Sequence, residues 1–449
     1  MDKQARLEFK QAYELAAPGR LGEPLSLFDA LKIKRLLLDA MSRLEAFEAY
    51  REVLELGPHV RLEPRRLKSL LDAAKSNAVD LHILHEGGRR AICEPPEIIG
   101  PGVAPRIEGV SRTVFVACFE NAAVHSRSGA VELGSDLLFD IQGQELANFP
   151  VDLTFDPVVF NRDGYEVGAV IDDRPTINVK INRAWTLMCV YAGSFGHWMI
   201  ESLAKFLGGH RLPKLAGVPL LIDSHMASQH RESLELLGQG RFPIIEVPRW
   251  ARVHVDRLWV ASNWFYSPYH LATDQGVDPT RFVVPAGEIA NLYRAAGTEL
   301  DKRLSIGASD KNTFSARAAT THRRLTNNKE IEGFLKSRGF STIFPEQHSF
   351  AEQARIIRQS RNIVIQAGSA ALGLLLARPG TKVSLLSHPN FPTVSALSQM
   401  LKELGVDFNV VSGPFEQQVA PYLDRSDYQI PLNRLKEAIE PWTEFAPEC

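Results

Sequence analysis

The sequence predicts an α/β protein built on mostly parallel, doubly wound sheets, and three observations carry that expectation. Strand-like and helix-like stretches alternate from about residue 218 to 261 and again from 312 to 387, as successive βαβ units do. Turn residues punctuate the alternation, with Gly339 closing one helical stretch and Pro379-Gly380 closing another. A length of 449 residues exceeds one ordinary core, so the alternating blocks belong to more than one domain.

Residues 1 to about 90 read as helical, most clearly in LFDALKIKRLLLDAMSRLEAFEAYREVLEL, where apolar residues recur at three and four positions. Such helices dock either on the main body or on a second copy of the chain. EPPEIIGPGVAPRIEG then stops any helix, because proline lacks the amide donor and fixes φ, and marks a boundary near residues 95–108. From 112 to 182, runs such as RTVFVACF and PTINVKI, with a turn at Asn161-Arg162-Asp163-Gly164, read as a small sheet ahead of the next domain. GVPLLID, SQHRESLELLG, FPIIEV and VDRLWVAS make the first alternating block. The second runs from NTFSARA through NKEIEGFLKSRG, FSTIF, SFAEQARIIRQS, RNIVIQ and SAALGLLLA to TKVSLLS, and PLNRLKEAIEPW closes as a helix.

Composition restricts the function classes. With 45% hydrophobic and 23% charged residues the chain is an ordinary globular one. Its 51 Lys+Arg against 53 Asp+Glu supply no long-range attraction for nucleic acid, which is not an expected partner. Cys93, Cys118, Cys189 and Cys449 show neither C-x-x-C nor zinc-ligand spacing, which fits a reducing compartment. The N-terminus lacks a signal-peptide core, and no run reaches the roughly 18 apolar residues of a spanning helix, so a cytoplasmic location is expected. No Asp-x-Asp triplet, H-E-x-x-H, G-x-S-x-G, Walker loop or G-x-G-x-x-G occurs, and Asp172-Asp173 reads as a turn. Hydrolase, phosphate-loop ATPase and dehydrogenase readings lose ground, and no metal is expected.

Three stretches remain as carriers of chemistry. In GSFGHWMIESLAKF, residues 193–206, a glycine turn leads into a helix on which His197, Glu201 and Lys205 share one side, while Met199, Leu203, Phe206 and Leu207 form the buried stripe. Two readings fit: a solvated polar edge, or an acid/base pair facing a cleft. In NIVIQAGSAALGLLLARPGTKVSLL a strand ends at Gln366, the chain turns at Gly368 and Ser369, and a helix begins whose free N–H groups suit a diphosphate, although Gly-Ser before a small-residue helix is more often ordinary packing. ARAATTHRRLTNN gathers Arg317, Arg323 and Arg324, whose forks match phosphate oxygens but also suit a solvated surface. Ser349 and Glu352 form a capping box.

Taken in order, GSFGHWMIESLAKF, VDRLWVAS, SARAATTHRRLTNN and GFSTIFPEQHSFAEQARIIRQSRNIVIQAGSAALGLLLARPGTKVSLL resemble glycosyltransferase family 61, in a bacterial-type member, over roughly residues 110–390. The resemblance implies a GT-B architecture: two Rossmann-like domains facing a cleft, an acceptor domain over 96–300 with its leading β-rich segment, and a nucleotide-sugar domain over 301–449. Residues 1–95 form an N-terminal helical extension outside it. It further implies a metal-independent inverting transferase, with a nucleotide-sugar co-substrate and no cofactor, that extends a glycan acceptor, lipid-linked ones included, in surface polysaccharide assembly such as a capsule. Such an enzyme works in the cytoplasm or at the periphery of the inner membrane. The family's His-Trp-x-x-acid motif falls on His197, Trp198 and Glu201, its arginine strand on Arg317, and its Arg-Arg-Leu-x-Asn segment on Arg323, Arg324, Leu325 and Asn327. Its His-Gly-Ala-x-Leu-x-Asn turn falls on 367–373, where this chain has Ala367 and Gly373 in place of the His and Asn.

An inverting transfer needs a base, in-line attack and a stabilised leaving group. Glu201 is the first expectation for the base, with His197 holding it or the acceptor. Arg317, Arg323, Gln366, Gly368 and Ser369 are expected at the donor, and Trp198 and Gly196 at the acceptor. The alternatives are a non-catalytic GT-B protein that binds glycan or nucleotide, favoured by Ala367 and Gly373, and a GT-B-like pyruvyl transferase.

Overall fold

The computed structural model describes residues 9–12, 14–16, 27–142, 156–160, 166–172, 178–224, 226–248, 251–265, 283–318, 323–391, 393–417 and 426–443. Helical residues at 9–12 and 14–15 precede helices Leu27–Ala40 and Arg43–Val53, the second opened by a capping box of Ser42 and Glu45. Phe47 and Tyr50 pack there on Phe160.

The helical reading holds no further than this pair. Val60–Ser69 (β1), Asp80–His85 (β2) and Arg90–Cys93 (β3) are strands, with only the short helix Leu70–Asn77 between them. Pro64 explains part of the difference, since it has no amide hydrogen to continue a helix, and VRLEPRRLKS instead pairs antiparallel with Glu166–Asp172. The charged residues that broke the β pattern stand largely on the accessible side of that pair.

Next come Glu97–Ile99 (β4), Ile107–Val110 (β5), Val114–His125 (β6), Val131–Leu133 (β7), Asp136–Phe139 (β8), Val159–Phe160 (β9), Glu166–Asp172 (β10) and Asn178–Thr186 (β11). Leu220–Asp223 (β12), Ile244–Val247 (β13) and Arg252–Ala261 (β14) follow. The first sheet has 11 strands, in the order β13-β12-β11-β14-β6-β7-β8-β1-β10-β9 with β2 beside β6. The separate small sheet expected over 112–182 is therefore one continuous sheet with the first alternating block, joined where β6 runs antiparallel along β14. The cause is burial on both faces of β6, which makes VFVACFENAAVH a central strand. The turn read at 161–164 lies outside the described residues. Strands β11 to β14 are parallel, and the chain steps from β11 to β12 and β13 on one side but to β14 on the other.

The second sheet contains Lys311–Ser315 (β15), Ser341–Ile343 (β16), Ser360–Gln366 (β17), Lys382–Ser387 (β18) and Asp407–Ser412 (β19), all parallel. Its order is β16-β15-β17-β18-β19-β4, so the chain changes direction between β15 and β17, and β4 adds an edge strand from far upstream. Open α/β sheets bind ligands beyond the carboxyl ends of the strands at such a switch. One apolar core spans both sheets, running from Trp185 and Leu203 through Tyr293 to Ile363 and Leu385. Among the described residues no helix is long and apolar enough to cross a membrane.

Candidate active site

The GSFGHWMIESLAKF segment leaves β11 and enters a helix of mixed pitch. Ser194 precedes it without a side-chain cap; Phe195–His197 is α-helical, Trp198–Leu203 is a π-helix, and Ala204–Gly209 is α-helical again. Such π-turns re-aim side chains and are frequent at functional sites. Here the turn carries His197 Nδ1 to 2.6 Å from Glu201 Oε1. The carboxylate side chain is 6% exposed and the imidazole 31% exposed, so the ring stands between solvent and the acid. Tyr191 stacks on that ring with centroids 4.7 Å apart. The solvated-edge reading fails, because Glu201 and Lys205 are both buried. Behind the pair, Ser202 Oγ donates to the Leu187 carbonyl, and burial pushes the Cys189 thiol up to about 12, which makes it inert at neutral pH.

Trp198 does not reach an acceptor space. It is fully buried, its Nε1 donates to Ser233 Oγ at 3.0 Å, and its ring meets His230 edge-on. The reason is its place on the inward side of the helix with Met199 and Leu203. Gly196, expected at the acceptor, lies against the second sheet. A Cβ there would stand 3.4 Å from Ser369 Cα, so the missing side chain lets the start of this helix rest on the Gly368-Ser369 turn of the second sheet.

That turn follows β17. The helix expected after it is a 3₁₀-helix, Ser369–Leu376, with Gly368 before it and no side-chain cap. Three residues per turn bring Ala371, Leu374 and Ala377 onto one buried face. Gly373 faces Ile357 and Phe195, a Cβ lying 3.2 Å from Ile357 Cδ1.

Arg317 follows β15, across the switch point from this turn. A Cβ on Gly368 would lie 3.5 Å from Arg317 Nε, so the arginine extends over the glycine, and its Nη1 donates to the carbonyls of Arg323 and Ala367. Arg323 holds a left-handed backbone, φ 55°. Gln366 is turned away from the turn: it is buried and its Nε2 donates to Asn328 Oδ1 at 2.6 Å. Arg324 grips Asp427 through Nε and Nη2, and Asn327 bonds the backbone of Ile430, so both fasten the C-terminal segment.

The structure thus brings His197, Glu201, Gly196, Gly368, Ser369 and Arg317 to one junction between the two sheets. Sequence reasoning missed Tyr191, which carried no periodic signal, and Asp427, which lies about a hundred residues from its partner. Chemically, the histidine can accept a proton at Nε2 while Glu201 fixes Nδ1, and Arg317 beside a helix start offers positive charge to phosphate oxygens. Among the described residues no three His, Cys, Asp or Glu side chains converge as metal ligands.

Comparison with protein families matches residues 195–384 to the family described as Glycosyltransferase 61. The matched span begins at Phe195, two residues before His197, and includes Arg317 and the Gly368-Ser369 turn. No curated protein matches the chain.

Proposed function

We propose that this chain, whose residues 195–384 match the Glycosyltransferase 61 family, is a metal-independent inverting glycosyltransferase of the GT-B type. In this reading a UDP-sugar sits at the β15/β17 switch and a glycan acceptor sits over the His197 helix. The observation that carries it is the contact of Gly196 with Ser369, which sets the His197–Glu201 pair beside the Arg317 and Gly368 turn. The strand orders of the two sheets, each reversing beside one half of this junction, support two Rossmann-like units facing a cleft.

The acceptor hydroxyl loses its proton to His197 Nε2 as its oxygen attacks the anomeric carbon. The bond from that carbon to the β-phosphate oxygen breaks, and the diphosphate leaves with the electron pair. Arg317, Arg323 and the N–H groups at the Ser369 helix start stabilise the departing charge, an effect worth about 10²- to 10³-fold per donor. Glu201 is a positioning residue in this scheme. It holds Nδ1–H and stabilises the imidazolium, which reverses the order of roles expected from sequence because the carboxylate lies behind the ring. Gln366, committed to Asn328, has no donor role, and the acceptor is a glycan of surface polysaccharide assembly.

The test is transfer from UDP-sugars in EDTA. His197→Ala is expected to lower kcat by about 10²- to 10⁴-fold without weakening UDP binding. Glu201→Gln should lower kcat with little change in KM, and Glu201→Asp should restore part of it. Full turnover by His197→Ala would remove the proposed base. A protein that binds UDP but transfers no sugar would favour the non-catalytic alternative, for which Ala367 and Gly373 are the relevant substitutions.

A further inference from the structure

We propose a second ligand site, away from His197: a pocket for one neutral sugar unit between the hairpin of β3 and β5 and the first turn of helix Ala286–Arg303. Its natural occupant, a unit of the acceptor glycan, rests on the glycosyltransferase reading; its sugar-binding chemistry is argued from the pocket itself.

The cavity holds about 190 Å³ and is lined by His85, Arg89, Gly287, Glu288, Gln399 and Glu403, with Arg90 beside them. That volume falls below the roughly 300–1,000 Å³ of clefts that take drug-sized ligands. A space of that size suits a single pyranose better than a nucleotide-sugar. Arg90 is committed to Glu108 across the hairpin and Glu288 faces His85, which leaves Arg89 and Glu403 as one charge of each sign, so neither a bare anion nor a bare cation is favoured. What they offer is planar forks of both polarities, which meet neighbouring hydroxyls two at a time.

The acidic side of the pocket is held in place. His85, 8% exposed, contacts Ser111 Oγ through Nε2 at 3.2 Å and Glu288 Oε1 through Nδ1 at 3.3 Å. Gln399 Nε2 donates to Glu403 Oε1 at 3.0 Å. Glu403 Oε2 lies 3.8 Å from where a Gly287 Cβ would stand, so the glycine keeps the floor of the pocket open beneath that oxygen. Among the described residues the Arg89 guanidinium forms no hydrogen bond or ion pair, which leaves its donors for a ligand.

Position separates this pocket from the candidate active site. Leu84 and Trp264, the latter 6.4 Å from the His85 ring, pack on Gly208 at the far end of the helix that carries His197. Apart from residues 284–288, the lining lies outside the family-matched span 195–384. A sugar held here would tether a long acceptor and raise its effective concentration at the His197 helix without touching the reacting atoms.

Saturation-transfer NMR on the full chain with methyl glycosides of glucose, galactose, mannose and N-acetylglucosamine tests the proposal. At least one glycoside is expected to bind. Gly287→Gln, which fills the floor, and Arg89→Ala, which removes an exposed donor and keeps the test valid if the first variant misfolds, should each weaken it by about tenfold or more. His197→Ala should bind as the wild type does. No binding by any glycoside, binding untouched by both pocket variants, loss in His197→Ala, or displacement by inorganic phosphate would each overturn the inference. Failure of the glycosyltransferase reading would appear as absent turnover while sugar binding and its sensitivity to Gly287→Gln persist.

Discussion

At the scale of single residues, the site turns on which polar groups face outward and which are committed inside. Trp198 stands next to His197 in the sequence yet is fully buried on Ser233. Trp198→Phe should therefore lower stability by about 1 kcal/mol, the cost of the lost hydrogen bond to Ser233 Oγ, read as a shift in the urea midpoint, with acceptor KM unchanged. A raised KM with an unchanged midpoint would put Trp198 in the acceptor site. The arginines divide in the same way: Arg324→Ala should loosen the Asp427 segment and leave UDP affinity intact, as binding calorimetry on the folded variant would report. The His197/Glu201 spacing was legible because i and i+4 share a helix face. Which member lay in front was not, because that depends on a π-turn and on Tyr191, neither of which leaves a pattern in the sequence.

At the scale of elements, both alternating blocks were legible, since buried parallel strands and amphipathic helices have different periods. The strands at 60–93 were not, because β1 is part-exposed and rich in arginine. The 3₁₀ pitch of Ser369–Leu376, where a helix was expected, was not legible either. The end of β12 carries a testable charge effect. Asp223 is buried; Oδ1 accepts the Arg127 N–H at 2.6 Å, and Oδ2 has no hydrogen-bond partner among the described residues. Burial pushes its carboxyl up to about 7, against the opposing hydrogen bond from Arg127. Between pH 4 and 7 the folded state holds this proton and the unfolded chain does not, so stability falls as pH rises through that window and the full penalty is present above it. A shift of this size corresponds to about 4 kcal/mol. Wild-type thermal midpoints should therefore fall from pH 5 to pH 8 relative to Asp223→Asn. Parallel profiles for the two proteins would show that Asp223 is ionised at no cost.

At the scale of the whole molecule, the two sheets share one apolar core, and the connection is more than contact. Strand β4 leaves the N-terminal region to edge the second sheet, and Tyr293 of helix Ala286–Arg303 donates its hydroxyl to the Met199 carbonyl within the His197 helix. Scanning calorimetry should show a single cooperative transition, and two resolved transitions would mean that the units fold independently. This union was not legible in the sequence, because β4 pairs with a strand some three hundred residues away. It also fixes the junction at which Gly196 meets Ser369, on which the functional account depends. The most direct measurement of that account is calorimetric titration of UDP, in EDTA, into wild type, Arg317→Ala and His197→Ala. The account predicts binding by wild type and by His197→Ala, and a loss of about tenfold or more in Arg317→Ala, the cost of one charge-assisted contact. Undiminished binding by Arg317→Ala, or no binding by wild type, would contradict it.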